Sequence, residues 1–103
     1  MENLEQKLAG DGRYVLEVRD DKMIDANIWD GNFVVADANK AAKSGDIVIA
    51  LINNDEAVLR RFYKLDDRRV LLMCENKFFK PEIFSPNDIA IQGVVVGVFS
   101  YPK

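Results

Sequence analysis

The chain has 103 residues, the length of one domain, and at 49% hydrophobic with 10% aromatic residues it has the material for a real core, which excludes a disordered tail. Its net charge of −3, from 14 basic and 17 acidic side chains, argues against a dedicated nucleic-acid surface. With no His, no Thr and a single Cys, His-dependent triads, His-ligated metals, internal disulfides and Cys-cluster zinc sites are excluded. No apolar run approaches the roughly 20 residues that span a bilayer, and the charged start MENLEQKLAG is no signal peptide. The expectation is a cytoplasmic domain without a membrane contact or a cofactor.

In chain order, residues 1–12 are polar and end in Gly10-Asp11-Gly12. They read as a flexible N-terminal arm, with room for one helical turn over residues 3–8. The folded domain then runs over 13–103. Residues 14–18 are rich in strand formers. Asp30-Gly31-Asn32 is a turn signal, and 33–36 resumes a strand. Residues 37–43 fit either a short helix capped by Asp37 and stopped by Gly45, or a loop. The β-branched run 47–52 reads as a strand covered on both faces. Asn53-Asn54-Asp55 makes a hairpin connection to a strand over 56–64, and Asp66-Asp67 turns into a strand over 69–74. Residues 75–81 read as a loop closed by Pro81, and Ser85-Pro86-Asn87-Asp88 as a further turn. The last strand covers 89–101 and contains Gly93 and Gly97, which inside a strand mark bulges or close backbone approach. The fold class is therefore mostly β, with short antiparallel strands and little helix.

The nucleophile inventory is short: Ser44, Ser85, Ser100 and Cys74. Ser44 and Ser85 sit at turn signals, Ser100 follows the last strand, and Cys74 reads as a small core residue. Asp20, Asp21, Asp25, Asp30 and Asp37 are clustered in sequence. They lack the spacing of a calcium loop and enclose Lys22, so they read as solvated turn residues and no metal is expected. In the pairs Arg60-Arg61 and Arg68-Arg69, adjacent side chains on a strand point to opposite faces. Arg60 falls with Val58 and Phe62, Arg61 with Leu59 and Tyr63, and no one-sided basic stripe results. Direct nucleic-acid binding is not expected. The apolar run 93–99 is either a central core strand or an interface strand, since a long, apolar edge invites pairing with another chain.

Met23-Ile24-Asp25, Asp30-Gly31, Ser44-Gly45-Asp46-Ile47-Val48-Ile49-Ala50, residues 56–62 and Gly93-Val94-Val95, in that order, resemble the C-terminal domain of the LexA/UmuD family. The resemblance runs from Arg13 to Phe99. It implies a LexA/signal-peptidase-like β domain, belonging in bacteria to self-cleaving proteins of the DNA-damage (SOS) response with serine peptidase chemistry. The family pattern Gly-x-Ser-Met-x-Asp reads here Asp20-Asp21-Lys22-Met23-Ile24-Asp25, so Lys22 holds the nucleophile's position. Counting from Glu56, Arg60 holds the position of the Lys that serves as general base. A Ser–Lys dyad needs a hydroxyl that attacks and a neutral amine that takes its proton. Lys22 has no hydroxyl, and a guanidinium keeps its proton in proteins. Both degenerate positions together imply a chain without self-cleavage. If the fold is kept, Lys22 and Arg60 lie near each other, and Asp20, Asp21 and Glu56 are the candidate partners of a salt-bridged cluster. Ala9-Gly10 matches the family's scissile pair in type but lies too near Lys22 to be that site.

The layout, a short arm before the β domain, is most similar to processed UmuD. That similarity implies a homodimer, with Val94, Val96, Val98 and Phe99 as candidate interface residues. It further implies an accessory role to an error-prone DNA polymerase, a recombinase filament or another LexA/UmuD family member. The alternative is the dimerisation domain of a LexA-like transcriptional repressor. An active self-cleaving serine peptidase is the third reading.

Overall fold

The computed structural model describes residues 2–7 and 12–100. Eight strands form one antiparallel sheet: β1 (Glu2–Lys7), β2 (Arg13–Glu17), β3 (Phe33–Asp37), β4 (Ile47–Ile52), β5 (Glu56–Asp66), β6 (Arg69–Met73), β7 (Glu82–Phe84) and β8 (Ile89–Phe99). Their spatial order is β1-β2-β3-β8-β4-β5-β6-β7. Helical structure among the described residues is confined to single 3-10 turns at Ile24–Ala26 and Pro86–Asp88. The mostly-β expectation holds.

Local chemistry explains the turns. Asn53 and Asn54 take positive φ of 51° and 60°, which Asn tolerates better than most residues, and so close the β4–β5 hairpin. Gly45 turns at φ +98° just before β4. Ser85 caps the second 3-10 turn, its hydroxyl accepting the Asn87 N–H. Residues 37–43 form no helix. Asp37 belongs to β3, and its carboxylate accepts the Asn39 N–H and pairs with Arg13 at 3.5 Å.

Three expectations need revision. Over residues 3–7 the chain is extended as part of β1 rather than helical, because pairing with β2 satisfies backbone groups that one isolated helical turn leaves open. Ala9-Gly10 and Tyr101 lie outside the described residues. A seventh strand, β7, follows Pro81 over residues to which the sequence assigns no element; three residues are too few to show a period, and pairing with β6 creates it. Finally, β8 is no edge. It lies between β3 and β4, so the core reading of residues 93–99 is the right one for Val94, which is 1% exposed.

The sheet buries apolar side chains on both faces. One cluster gathers Leu16, Val18, Met23, Ile28, Val34, Ala36, Ile49 and Leu59; the other gathers Val48, Ala50, Val58, Phe62, Val70, Leu72 and Val94. β4 sends Ile49 into the first cluster and Val48 and Ala50 into the second, which is why its sequence is apolar without alternation. β8 joins two half-sheets. β4 pairs with its first half, from Ile89 to Val94, and β3 with its second, from Val94 to Phe99. Each pairing contains a bulge: one residue, Gln92, separates the partners of Ile49 and Ala50, and Val96 separates those of Val35 and Ala36. The Gln92 carbonyl accepts the Tyr14 hydroxyl at 2.9 Å. Gly93 makes room for this, because a Cβ there would stand 2.8 Å from that hydroxyl and 3.1 Å from the Ala36 Cβ.

Candidate functional site

The segment between β2 and the first 3-10 turn carries Lys22, and the middle of β5 carries Arg60. Met23 fixes the first segment. Its side chain is fully buried, its sulfur accepts the Glu75 N–H at 3.4 Å, and its carbonyl accepts the Ala26 and Ile28 N–H groups. The loop after β6 clamps the same segment from outside: Asn76, itself buried, donates its Nδ2–H to the Asp21 carbonyl at 2.8 Å, and the Asp25 N–H donates to the Glu75 carbonyl at 2.7 Å. This loop brings Phe79 under Lys22, whose ammonium lies 5.4 Å from the ring centroid.

The two arginines of β5 have opposite fates. Arg61 turns to one face, where its Nε–H donates to Glu75 Oε1 at 2.8 Å and its Nη1–H to the Gly45 carbonyl at 2.7 Å. Arg60 turns to the other, as the alternation requires, and is 6% exposed. It forms no ion pair with a described carboxylate, and its one hydrogen bond runs from Nη1 to the carbonyl of its neighbour Leu59 at 2.7 Å. Met73 pairs with Arg61, so the next residue, Cys74, falls beside Arg60. Burial pushes the Cys74 thiol up from its ordinary value; the positive charges of Arg60 and Lys22 act against that, and Asp20 and Glu82 reinforce it. One buried thiol thus lies within electrostatic reach of both cations.

The expected salt-bridged cluster does not form. The charges of Lys22 and Arg60 both reach Cys74, and neither pairs with a described acid. The Asp20 carboxylate accepts the Lys22 backbone N–H at 3.0 Å, serving the turn instead of the ammonium. Asp21 contributes its carbonyl to Asn76, and Glu56 stands at the far start of β5, about 13 Å from Arg60 along a strand. Sequence reasoning placed Cys74 in the core and left Phe79 and Asn76 unassigned. The register of a β5–β6 hairpin was the available signal for Cys74.

Two of the serines serve local structure: Ser44 Oγ accepts the Lys64 N–H, and Ser85 caps as described; Ser100 follows β8. Of the clustered aspartates, Asp20 and Asp37 accept local backbone N–H groups, and no group of three His, Cys, Asp or Glu among the described residues is placed to hold a metal ion. Of the residues expected at an interface, Val94 is core, whereas Val96 is 40%, Val98 44% and Phe99 37% exposed, and Phe99 stacks on Phe33 with centroids 5.4 Å apart. Trp29, 53% exposed, shares a shallow hollow with Val98 and Phe99 and extends this apolar surface.

A sheet of this order, with Met23 pinned beneath one site position and β5 carrying the other, invites comparison with known proteins. Residues 2–96 match the Peptidase S24-like family. The chain belongs to the peptidase S24 family. It is 38% identical over 94 residues to a LexA repressor of Clostridioides difficile, and 38% identical over 92 residues to a LexA repressor of Erythrobacter litoralis. These alignments cover 91% and 88% of the chain but only 44% and 39% of the two repressors. The chain is thus a LexA-like C-terminal domain by sequence, with a mostly-β architecture. No helix among the described residues is long and apolar enough to cross a membrane.

Proposed function

We propose that this S24-family domain has given up self-cleavage and works by binding protein. The supporting observation is the character of the two positions: a buried guanidinium at Arg60, with the Cys74 thiol opposite it just past the end of β6, and an ammonium at Lys22. Such a set offers neither the hydroxyl nor the neutral amine of the family's chemistry. Incubation of the purified protein at alkaline pH is expected to give no new band on a denaturing gel; a self-cleavage product would overturn the reading. The double substitution Lys22→Ser with Arg60→Lys is expected to return cutting of a peptide substrate in trans, since Met23 and β5 hold both positions in place.

Among binding roles, the LexA repressor relatives favour the dimerisation domain of a SOS-type transcriptional regulator over a UmuD-like accessory subunit of an error-prone polymerase. The self-contact would use the second half of β8, where Val96, Val98 and Phe99 with Trp29 present an apolar surface. On the β4 side no described strand pairs with the backbone beyond Val94. Recovery of the tagged protein from its own cells, with and without DNA damage, separates the roles. Copies of itself or a helix-turn-helix protein support the regulator; a polymerase or recombinase filament would restore the accessory role.

A further inference from the structure

Between β2 and β3 the chain leaves the sheet and returns to it across a closed neck. The Val18 N–H donates to the Asn32 carbonyl and the Gly31 N–H to the Val18 carbonyl, both at 2.8 Å. Inside the loop the backbone supports itself: Ala26 and Ile28 donate to the Met23 carbonyl, and Asn27 donates to that of Ile24. A compact loop on a short neck is a unit that can move without its scaffold. What ties this one down is narrow. Beyond the neck, every hydrogen bond that residues 20–29 make outside the loop goes to Glu75 or Asn76. The Asp25 N–H reaches the Glu75 carbonyl at 2.7 Å, the Met23 sulfur accepts the Glu75 N–H at 3.4 Å, and the Asp21 carbonyl accepts the Asn76 Nδ2–H at 2.8 Å. Arg61 in turn holds Glu75 to β5 at 2.8 Å. Met23 and Ile28, both buried in the first apolar cluster, seal the loop from below. Opening puts these two side chains in water, so the open loop is a minor state.

The far end of the same loop carries Trp29. Its indole N–H donates to Asn27 Oδ1 at 3.0 Å, and its ring shares a hollow with Val98 and Phe99. Asn27 ends the 3-10 turn that Met23 and Asp25 anchor. A continuous set of contacts therefore runs from Glu75 and Asn76, through Met23 and Asp25, to Asn27 and the indole. We infer that this loop is a conformational switch. It opens as one unit from an intact sheet, Glu75 and Asn76 are its latch, and opening takes the Asn27 partner away from Trp29 on the apolar surface beside β8. A contact made through Trp29 then holds the latch shut, and by thermodynamic reciprocity release of the latch weakens the contact. This last step rests on the self-contact proposed above; the opening of the loop does not.

The test is native-state hydrogen exchange of the isotope-labelled full chain, read amide by amide by magnetic resonance. The Asp25, Asn27 and Ile28 amides are expected to share one opening equilibrium, with a weaker urea dependence than the slowest amides of β4 and β5. Asn76→Ala destabilises the closed loop against the open one and is expected to speed all three about tenfold, the effect of one lost hydrogen bond. Gly93→Ala strains β8 against Tyr14 and Ala36, far along the chain from the latch. It destabilises closed and open forms alike, so it is expected to speed the β4 and β5 amides and leave the three loop amides unchanged. Should Asn76→Ala fail to fold, Glu75→Gln, which loosens the Arg61 anchor, is expected to act in the same direction. In the parent protein, a concentration at which dimer exceeds monomer about tenfold is expected to slow the loop amides about tenfold relative to Val98→Glu. Unlike rates at the three amides, or an equal response to Gly93→Ala, would overturn the switch. Dimer formation that leaves loop exchange unchanged would overturn its link to Trp29. If sedimentation finds the parent monomeric throughout, the self-contact fails, and the contrast between Asn76→Ala and Gly93→Ala decides the switch by itself.

Discussion

Arg60 and Arg61 are chemically identical neighbours, and the pleat of β5 separates their energetics. Removing Arg61 with its two half-buried hydrogen bonds leaves Glu75 and the Gly45 carbonyl without a donor, so Arg61→Met is expected to lower stability by about 1–3 kcal/mol. Arg60→Met removes a buried charge that has no acid partner and leaves an apolar chain of similar length. Its expected effect is neutral or stabilising, by up to about 1–4 kcal/mol. Urea unfolding of the two variants checks the pair, and equal losses would show that Arg60 is compensated in a way the pairing pattern does not reveal. Cys74 and Tyr14 give a pH signature. Burial holds both above their ordinary values of 9.0 and 10.0. The folded state therefore keeps protons that the unfolded chain releases. The associated stability is fully present below the unfolded values and is lost as pH rises through the folded ones. The urea midpoint is expected to fall on raising the pH above 9.0, and Cys74→Ala to flatten the first part of that fall. At this scale the sequence disclosed which way Arg60 points, through alternation, while the assignment of Lys22 and Arg60 to the dyad positions rests on motif order alone. It could not disclose that Asp20 serves a turn, because the same carboxylate that accepts a backbone N–H would otherwise be available to an ammonium.

Strands announce themselves when they are long and bounded by turn residues, as β4 and β5 are. β7 escaped notice because three residues carry no period, and β1 because its polar sequence shows no apolar alternation; in each case pairing with a neighbouring strand creates the element. Glycines in β8 marked real bulges, but their unequal importance came only from the packing. Gly93 faces Tyr14 and Ala36 at close range, whereas a Cβ at Gly97 would meet nothing nearer than 3.8 Å. Gly93→Ala is expected to displace the Tyr14 hydroxyl from the Gln92 carbonyl and lower stability by about 1–3 kcal/mol. Gly97→Ala is expected to be within about 0.5 kcal/mol of the parent. Thermal unfolding of the two variants side by side decides it, and parity between them would refute the close-approach argument.

At the scale of the molecule, the resemblance carried by ordered motifs predicted the family and the mostly-β architecture together, and the S24-family match with a LexA-like relationship supports both. The central place of β8 was open in the sequence, since an apolar strand looks alike in the middle of a sheet and at a sticky edge. If the second half of β8 mediates self-association, Val98→Glu is expected to yield a monomer by sedimentation while leaving the unfolding midpoint almost unchanged, because this side chain is 44% exposed. An unchanged dimer would move the contact elsewhere.

The splice made by β8 also has a consequence in time. The hairpins β4–β5 and β5–β6 close over short loops and can form early, and so can β2–β3, but the two halves of the sheet share no strand pairing except through β8. That strand follows every other described strand in the chain, and its contacts span up to half of the sequence or more. Closing such contacts is entropically slow. A nascent chain still lacking residues beyond Ile89 therefore exposes the apolar flanks of β3 and β4 together, and remains a target for chaperones and proteases until the final strand drops between them.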